Sequence, residues 1–350
     1  MTKEIKIGKV NIGGGNAIAI QSMTNLPLSD VDATLQQIYR LQQVGCDLVR
    51  VAVPDVKSAK ILREVKDNIS IPLIADVHFN RDIAIAALEN GADKIRVNPG
   101  NVATSHLAAV IDCAKSHGAA IRIGVNGGSV EKSLFDKYNG DKPEAMAESL
   151  LAATKFFEKR GFYDIVLSVK SSNVAETVAL NRKIASICDY PLHIGVTEAG
   201  LRDQALVKNA IGIGSLLLDG IGDTIRVSMT ADPVEEVIAA KEILTAVGLR
   251  QSLQFVSCPK CGRCKVDLEG VAKLVYDSCK DIDLPLKIAV MGCEVNGPGE
   301  CADADLGLAG GDRKFAFFKK GKVYKTVDET NAVDCFVEEI RALAAERKNK

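Results

Sequence analysis

Leu48-Val-Arg-Val-Ala52, Leu73-Ile-Ala-Asp-Val77 and Lys94-Ile-Arg-Val97 are the stretches on which the fold turns. Each is a short aliphatic run, rich in β-branched residues and flanked by Gly, Asp or Pro. That is the pattern of a strand buried on both faces of a parallel sheet. Similar runs precede and follow them: Ala17-Ile-Ala-Ile-Gln21, Ala120-Ile-Arg-Ile-Gly124, Asp164-Ile-Val-Leu-Ser-Val169, Leu192-His-Ile-Gly-Val196 and Thr224-Ile-Arg-Val-Ser228. Helical patterns lie between them, as at 31–45, 81–91, 144–161 and 233–248, each closing on a glycine suited to a helix C-cap. Eight βα units in about 250 residues are the size of a closed barrel. The expected class is therefore α/β, a TIM-type (β/α)8 barrel over residues 1–250. An open doubly wound sheet is the competing arrangement. No Gly-x-Gly-x-x-Gly turn follows the first run, which disfavours a dinucleotide-binding version of it.

In such barrels the chemistry sits at the carboxyl ends of the strands. Polar and cationic residues recur there: Arg50, Asp76, His78, Arg96, Asn98, Arg122, Asn126, Lys170, Arg226 and Ser228 form the expected ligand-binding set. Five cations aimed at one mouth repel one another unless an anion joins them, and a diphosphate accepts forked guanidinium contacts. A single arginine at a strand end is as readily explained by a neighbouring carboxylate; Asp76, Glu198 and Asp223 are at hand. For the five together an anion site is the better reading. His78 is the histidine expected to be functional, His106 and His117 are expected on the surface, and His193 fits a satisfied core position.

Composition narrows the partners. The chain has 350 residues, 47% hydrophobic and 25% charged, with Lys+Arg 44 against Asp+Glu 45. There is no bulk basic field to favour nucleic acid, and with 5% aromatics and no Trp there is little material for base stacking. No apolar run of about twenty residues suggests a membrane span. The N-terminal stretch lacks the apolar centre of a signal peptide, so the ten cysteines are expected to be reduced thiols or ligands in a cytoplasmic protein.

Past Gln251 the rhythm changes to that of a smaller α+β domain over residues 251–350. A helix is expected over 269–280, a strand at 287–291, a hairpin over 315–325 and a final helix from about Asn331. Seven of the ten cysteines lie here. Ser257-Cys-Pro-Lys-Cys-Gly-Arg-Cys264 supplies a close pair, and Met291-Gly-Cys293-Glu-Val-Asn-Gly-Pro-Gly-Glu300 supplies a third thiol and a carboxylate. The first segment resembles a zinc knuckle, but a ribbon needs a second one, and Cys293 and Cys301 are spaced too widely to form it. A ferredoxin-like Cys-x-x-Cys-x-x-Cys run is present without its following Cys-Pro. Scattered buried thiols account for Cys46, Cys113, Cys188, Cys279 and Cys335, but poorly for Cys258 and Cys261. Redox-active iron–sulfur is the favoured centre. A barrel hydrolase or aldolase with structural zinc, and a non-enzymatic redox protein, are the alternatives.

These segments, with Ile20-Gln-Ser-Met-Thr-Asn25, resemble the 4-hydroxy-3-methylbut-2-enyl diphosphate synthases of the non-mevalonate isoprenoid pathway, in their two-domain bacterial form. The resemblance spans the chain. It implies a [4Fe–4S] cluster held by Cys258, Cys261, Cys293 and Glu300, and a barrel that binds 2-C-methyl-D-erythritol 2,4-cyclodiphosphate. It further implies reductive ring opening with electrons from ferredoxin or flavodoxin. Glu300 is the oxygen ligand expected to leave an iron open, and Glu198 a group for proton transfer, or else a partner of Arg226. Two residues depart from the family pattern: Cys264, where Thr is common, and Cys301, directly after the glutamate. The second domain starts after the eighth helix, away from the barrel mouth. The family meets this with a head-to-tail homodimer, which is expected here too.

Overall fold

The structure, a computed structural model, describes residues 1–349 apart from 78, 79, 98–103, 126–131, 294 and 296. It divides into two compact units, Met1–Leu249 and Arg250–Lys350.

The first unit opens with a short antiparallel hairpin, β1 (Ile5–Ile7) and β2 (Val10–Ile12). The barrel strands follow: β3 (Ala19–Met23), β4 (Leu48–Val53), β5 (Leu73–Val77), β6 (Lys94–Val97), β7 (Ala120–Val125), β8 (Ile165–Val169), β9 (His193–Ile194) and β10 (Thr224–Ile225). Helices α1 (Val31–Gln43), α2 (Val56–Asn68), α3 (Arg81–Glu89), α4 (Thr104–His117), α5 (Lys132–Lys137), α6 (Lys142–Lys159), α7 (Val174–Ile187), α8 (Arg202–Leu218) and α9 (Pro233–Ala246) connect them. The strands pair in parallel in the order β8-β7-β6-β5-β4-β3-β10-β9, and a parallel bridge between Leu167 and Leu192 closes the ring. The (β/α)8 barrel expected from the strand runs is thus present.

Local chemistry sets the helix starts. Asp30, Asp55, Asp141, Asn173 and Asp232 each accept a backbone amide of the first turn, a cap worth about 1 kcal/mol. Asn80, one of the polar residues past β5, is likewise occupied in capping α3, through the amides of Asp82 and Ile83.

The barrel floor was not foreseen in the sequence reading. Ile5, Ile7 and Ile12 of the hairpin pack against Ala19, Leu48, Ile74, Ala120 and Val166, which stand at the beginnings of β3, β4, β5, β7 and β8. The hairpin therefore seals the amino-terminal end with apolar side chains, leaving the polar positions at the other end.

The second unit is a five-stranded sheet, β11 (Gln254–Ser257), β12 (Lys287–Met291), β13 (Leu306–Gly310), β14 (Lys314–Lys319) and β15 (Lys322–Asp328), in sequential order. The first three strands are parallel and the last two antiparallel. Helices α10 (Leu268–Cys279) and α12 (Glu329–Lys348) share a core with β12–β14 built on Val275, Leu308, Phe315, Phe317 and Phe336. A single helical turn, α11 (Gly297–Glu300), follows β12; Met291, Cys301, Ala304, Ala309 and Phe318 make a smaller cluster beside it.

Candidate active site

The barrel interior is a cationic well. Register places Asp76 of β5 opposite Arg96 of β6, and Arg96 opposite Arg122 of β7. Arg50 Nη2 lies 2.5 Å from Asp76 Oδ2, and Arg96 Nη1 lies 3.8 Å from Asp76 Oδ1. Burial pushes the Asp76 carboxyl upward, but Arg50, Arg96 and Arg122 outweigh it and hold the group below the usual carboxylate range. Arg226 pairs with Glu236 of α9 at 3.6 Å, not with Glu198 or Asp223. Asp223 instead accepts from Thr2 Oγ1 and from the amide of Leu192. Glu198 is exposed and has φ +51°, a left-handed conformation uncommon for a residue with a side chain. The Ser228 carbonyl accepts from Asn209 Nδ2. His78, Asn98 and Asn126 lie outside the described residues.

Two charged members were missed by sequence reasoning. Lys94, two residues before Arg96 and so on the same strand face, is fully buried, with Nζ 3.4 Å from Gln21 Oε1. Strand alternation could have revealed it. Glu236, 5% exposed, accepts from Ser22 Oγ and the Met229 amide. It sits on a helix, so no strand-end reading could reach it. Among the described residues the well thus gathers Arg50, Lys94, Arg96, Arg122, Lys170 and Arg226 around two carboxylates, Asp76 and Glu236. Burial, then neighbouring guanidinium groups, hold the Lys94 and Lys170 amines well below the usual lysine range. Among the described residues, the buried Nε atoms of Arg50 and Arg122 and the Nε2 of Gln21 have no hydrogen-bond partner, whereas Arg226 Nε faces Glu236. A buried donor left unpaired costs about 1–3 kcal/mol, so unpaired guanidinium and amide donors beside these cations favour an anionic ligand.

In the second unit the thiols follow parallel strands. Register pairs Ser257 with Val290, so Cys258 just after β11 and Cys293 just after β12 stand at the same carboxyl edge. The Gly292 amide donates to Cys258 Sγ at 3.3 Å. Cys261 is exposed, and the Arg263 amide, followed by its side chain, draws its thiol below the usual range. Cys264 joins this edge: its amide donates to the Cys261 carbonyl, and its Sγ lies against Gly292, where a β-carbon would stand 2.7 Å away. Cys301 does not. It is fully buried, its Sγ packs onto Gly307, and burial with Glu300 alongside pushes its thiol up to about 11. Glu300, at the end of α11, is exposed. Among the described residues no three Cys, His, Asp or Glu side chains close around a single ion. The donor set still fits an iron–sulfur group: soft thiols at one sheet edge, two of them with amides directed at sulfur.

Fold and site together define a class: a (β/α)8 barrel with a cation-lined well, joined to a thiol-edged α+β domain. Residues 2–241 match the GcpE TIM-barrel domain, and residues 254–342 the GcpE protein C-terminal domain. The chain is 51% identical, over 99% of its length and 98% of the relative's, to a "4-hydroxy-3-methylbut-2-en-1-yl diphosphate synthase (flavodoxin)" of Caldanaerobacter subterraneus subsp. tengcongensis. It is 50% identical, over 99% of its length and 97% of the relative's, to the protein of that name from Lawsonia intracellularis. This chain belongs to the GcpE family. Among solved structures, a dihydropteroate synthase from Stenotrophomonas maltophilia aligns with TM-score 0.51 and 13% identity over 70% of this chain and 98% of that one, a likeness of barrel fold alone.

Proposed function

We propose that this chain is an enzyme that opens 2-C-methyl-D-erythritol 2,4-cyclodiphosphate to 4-hydroxy-3-methylbut-2-enyl diphosphate with two electrons and a proton. One carbon–oxygen bond to phosphate breaks, and a hydroxyl leaves as water. The observation that carries the reading is the well of six cations with orphaned guanidinium donors, on a chain that also carries a thiol-edged second unit. Family membership and the names of its relatives support the same reaction.

The barrel residues bind and orient. Arg50, Arg96, Arg122, Lys170 and Arg226 offer charged donors to both phosphates, with Ser228, His78, Asn98 and Asn126 proposed to complete the site. Asp76 and Glu236 keep the guanidinium groups in place before the ligand arrives. Glu198, exposed in a strained conformation just past β9, is proposed to move the proton that accompanies loss of the hydroxyl. A [4Fe–4S] cluster held by Cys258, Cys261, Cys293 and Glu300 would supply single electrons and a Lewis-acidic iron. The electron donor is proposed to be flavodoxin, as the relatives' names state for them. Among the described residues no helix is long and apolar enough to cross a membrane. A cytoplasmic homodimer, one chain's second unit serving its partner's barrel, completes the proposal.

Anaerobically purified protein is expected to be brown, with broad absorbance near about 400 nm, and to convert the cyclic diphosphate with reduced flavodoxin. Colourless protein carrying one zinc would sink the reading. Cys264→Ser should retain a four-iron cluster and turnover, whereas Cys293→Ser should lose the cluster and Glu300→Ala should leave a fragile one with little turnover. Inactive Cys264→Ser beside active Glu300→Ala would reassign the fourth ligand.

A further inference from the structure

His193 has no role in the reaction described above, yet it is tied into the well more closely than any other described histidine. It is wholly buried, and its ring joins two neighbours: Nδ1 lies 2.8 Å from Thr224 Oγ1, and Nε2 lies 3.2 Å from Lys170 Nζ. An ammonium only donates, so when Lys170 is charged Nε2 must accept, and the ring proton sits on Nδ1, donated to Thr224. Backbone geometry protects this contact. At Gly195 a β-carbon would stand 3.0 Å from Lys170 Nζ and 2.3 Å from the Arg226 carbonyl oxygen, so the amine passes through space that only glycine leaves.

We propose that His193 is a positioning residue that aims the Lys170 amine into the well, and that the Lys170–His193 pair takes up a proton when a dianionic ligand binds. The proposal rests on the anion-binding reading above. The charged groups that act on the pair are Arg50 of β4, Lys94 of β6, Arg122 of β7, Arg226 beyond β10 and Glu236 of α9. Burial, then Arg122, Arg226 and Arg50, press the Lys170 proton off, with Glu236 opposing. Burial, then Lys170, Arg122, Lys94 and Arg50, keep His193 neutral. Two fixed negative charges cancel that field, and a proton from solvent then forms an N–H bond on Lys170. Each phosphorus of the cyclic diphosphate is esterified once and bridged once. It therefore carries one permanent negative charge and has no proton of its own to exchange near neutrality.

The test is calorimetric titration of the anaerobic holoprotein with the cyclic diphosphate, without electron donor, in two buffers of different protonation enthalpy. At pH 8 the parent should take up roughly 0.3–0.8 proton per ligand, fading toward zero as pH falls and the pair fills beforehand. His193→Asn should bind on the order of tenfold more weakly and take up clearly less proton than the parent, because the Lys170 ammonium loses the ring nitrogen that accepts from it. His193→Gln serves as a second variant should Asn impair folding, which thermal melting of the unliganded protein reports. Uptake of zero in a parent that binds, or unchanged uptake in a folded His193 variant, overturns the proposal. No binding by the parent would instead overturn the anion-site reading on which it rests.

Discussion

Asp76 holds two guanidinium groups at once, Arg50 at 2.5 Å and Arg96 at 3.8 Å, from a position 3% exposed to solvent. Removing one partner of a buried charge set leaves the others uncompensated, which costs about 3–5 kcal/mol. Asp76→Asn should therefore lower stability at neutral pH by about that amount, read from denaturant midpoints, and added cyclic diphosphate should restore part of it. The sign with pH follows from the depressed carboxyl. Its stabilisation is present above the ordinary carboxylate range and is lost as pH falls through the lower folded value, so parent and variant should converge in acid. A gap that stayed constant into acid would show that Asp76 acts by packing. At this scale Arg50, Arg96, Arg122, Lys170 and Arg226 stood out as a set: one cation late in an aliphatic run is as readily explained by a neighbouring carboxylate, but five together are not. Their partners were hidden. Whether Arg226 meets Glu198 or Glu236 depends on how α9 lies against β3, which no local pattern encodes.

Among the elements, long periodic segments were the readable ones. The helices at 31–43 and 233–246 and the strands at 48–53 and 73–77 match their runs closely, since burial on a defined face dictates period. The floor hairpin was not legible: β1 and β2 have three residues each, too few for alternation to stand out. β11 was missed for a similar reason; its four residues are half-exposed, and Cys258 beyond it drew the reading toward ligands. The hairpin matters out of proportion to its length. Ile7 is fully buried against the first layer of the barrel, so Ile7→Ala should cost about 2–5 kcal/mol and leave the anion site able to bind, measured by unfolding and by ligand titration separately. Loss of binding at full stability would mean that the floor shapes the well directly.

For the whole molecule, the proposed head-to-tail assembly makes a prediction that neither unit makes alone. On that proposal Arg122→Ala should disable the barrel and Cys293→Ser the second unit, so each pure variant should be nearly inactive. Mixed under exchange conditions, heterodimers carry one site built from two intact halves, and activity should return to about a quarter of the parent's. No recovery, with exchange verified, would place each site within one chain. The barrel's shape carries a different consequence. With its far end stoppered by Ile5, Ile7 and Ile12, the barrel is closed to ligands on that side among the described residues. Nothing can be flushed through the barrel from behind: water displaced by an arriving ligand has to leave on the side from which the ligand came. An inhibitor that seats against the buried cations therefore cannot be dislodged from below, and its escape has to retrace its entry.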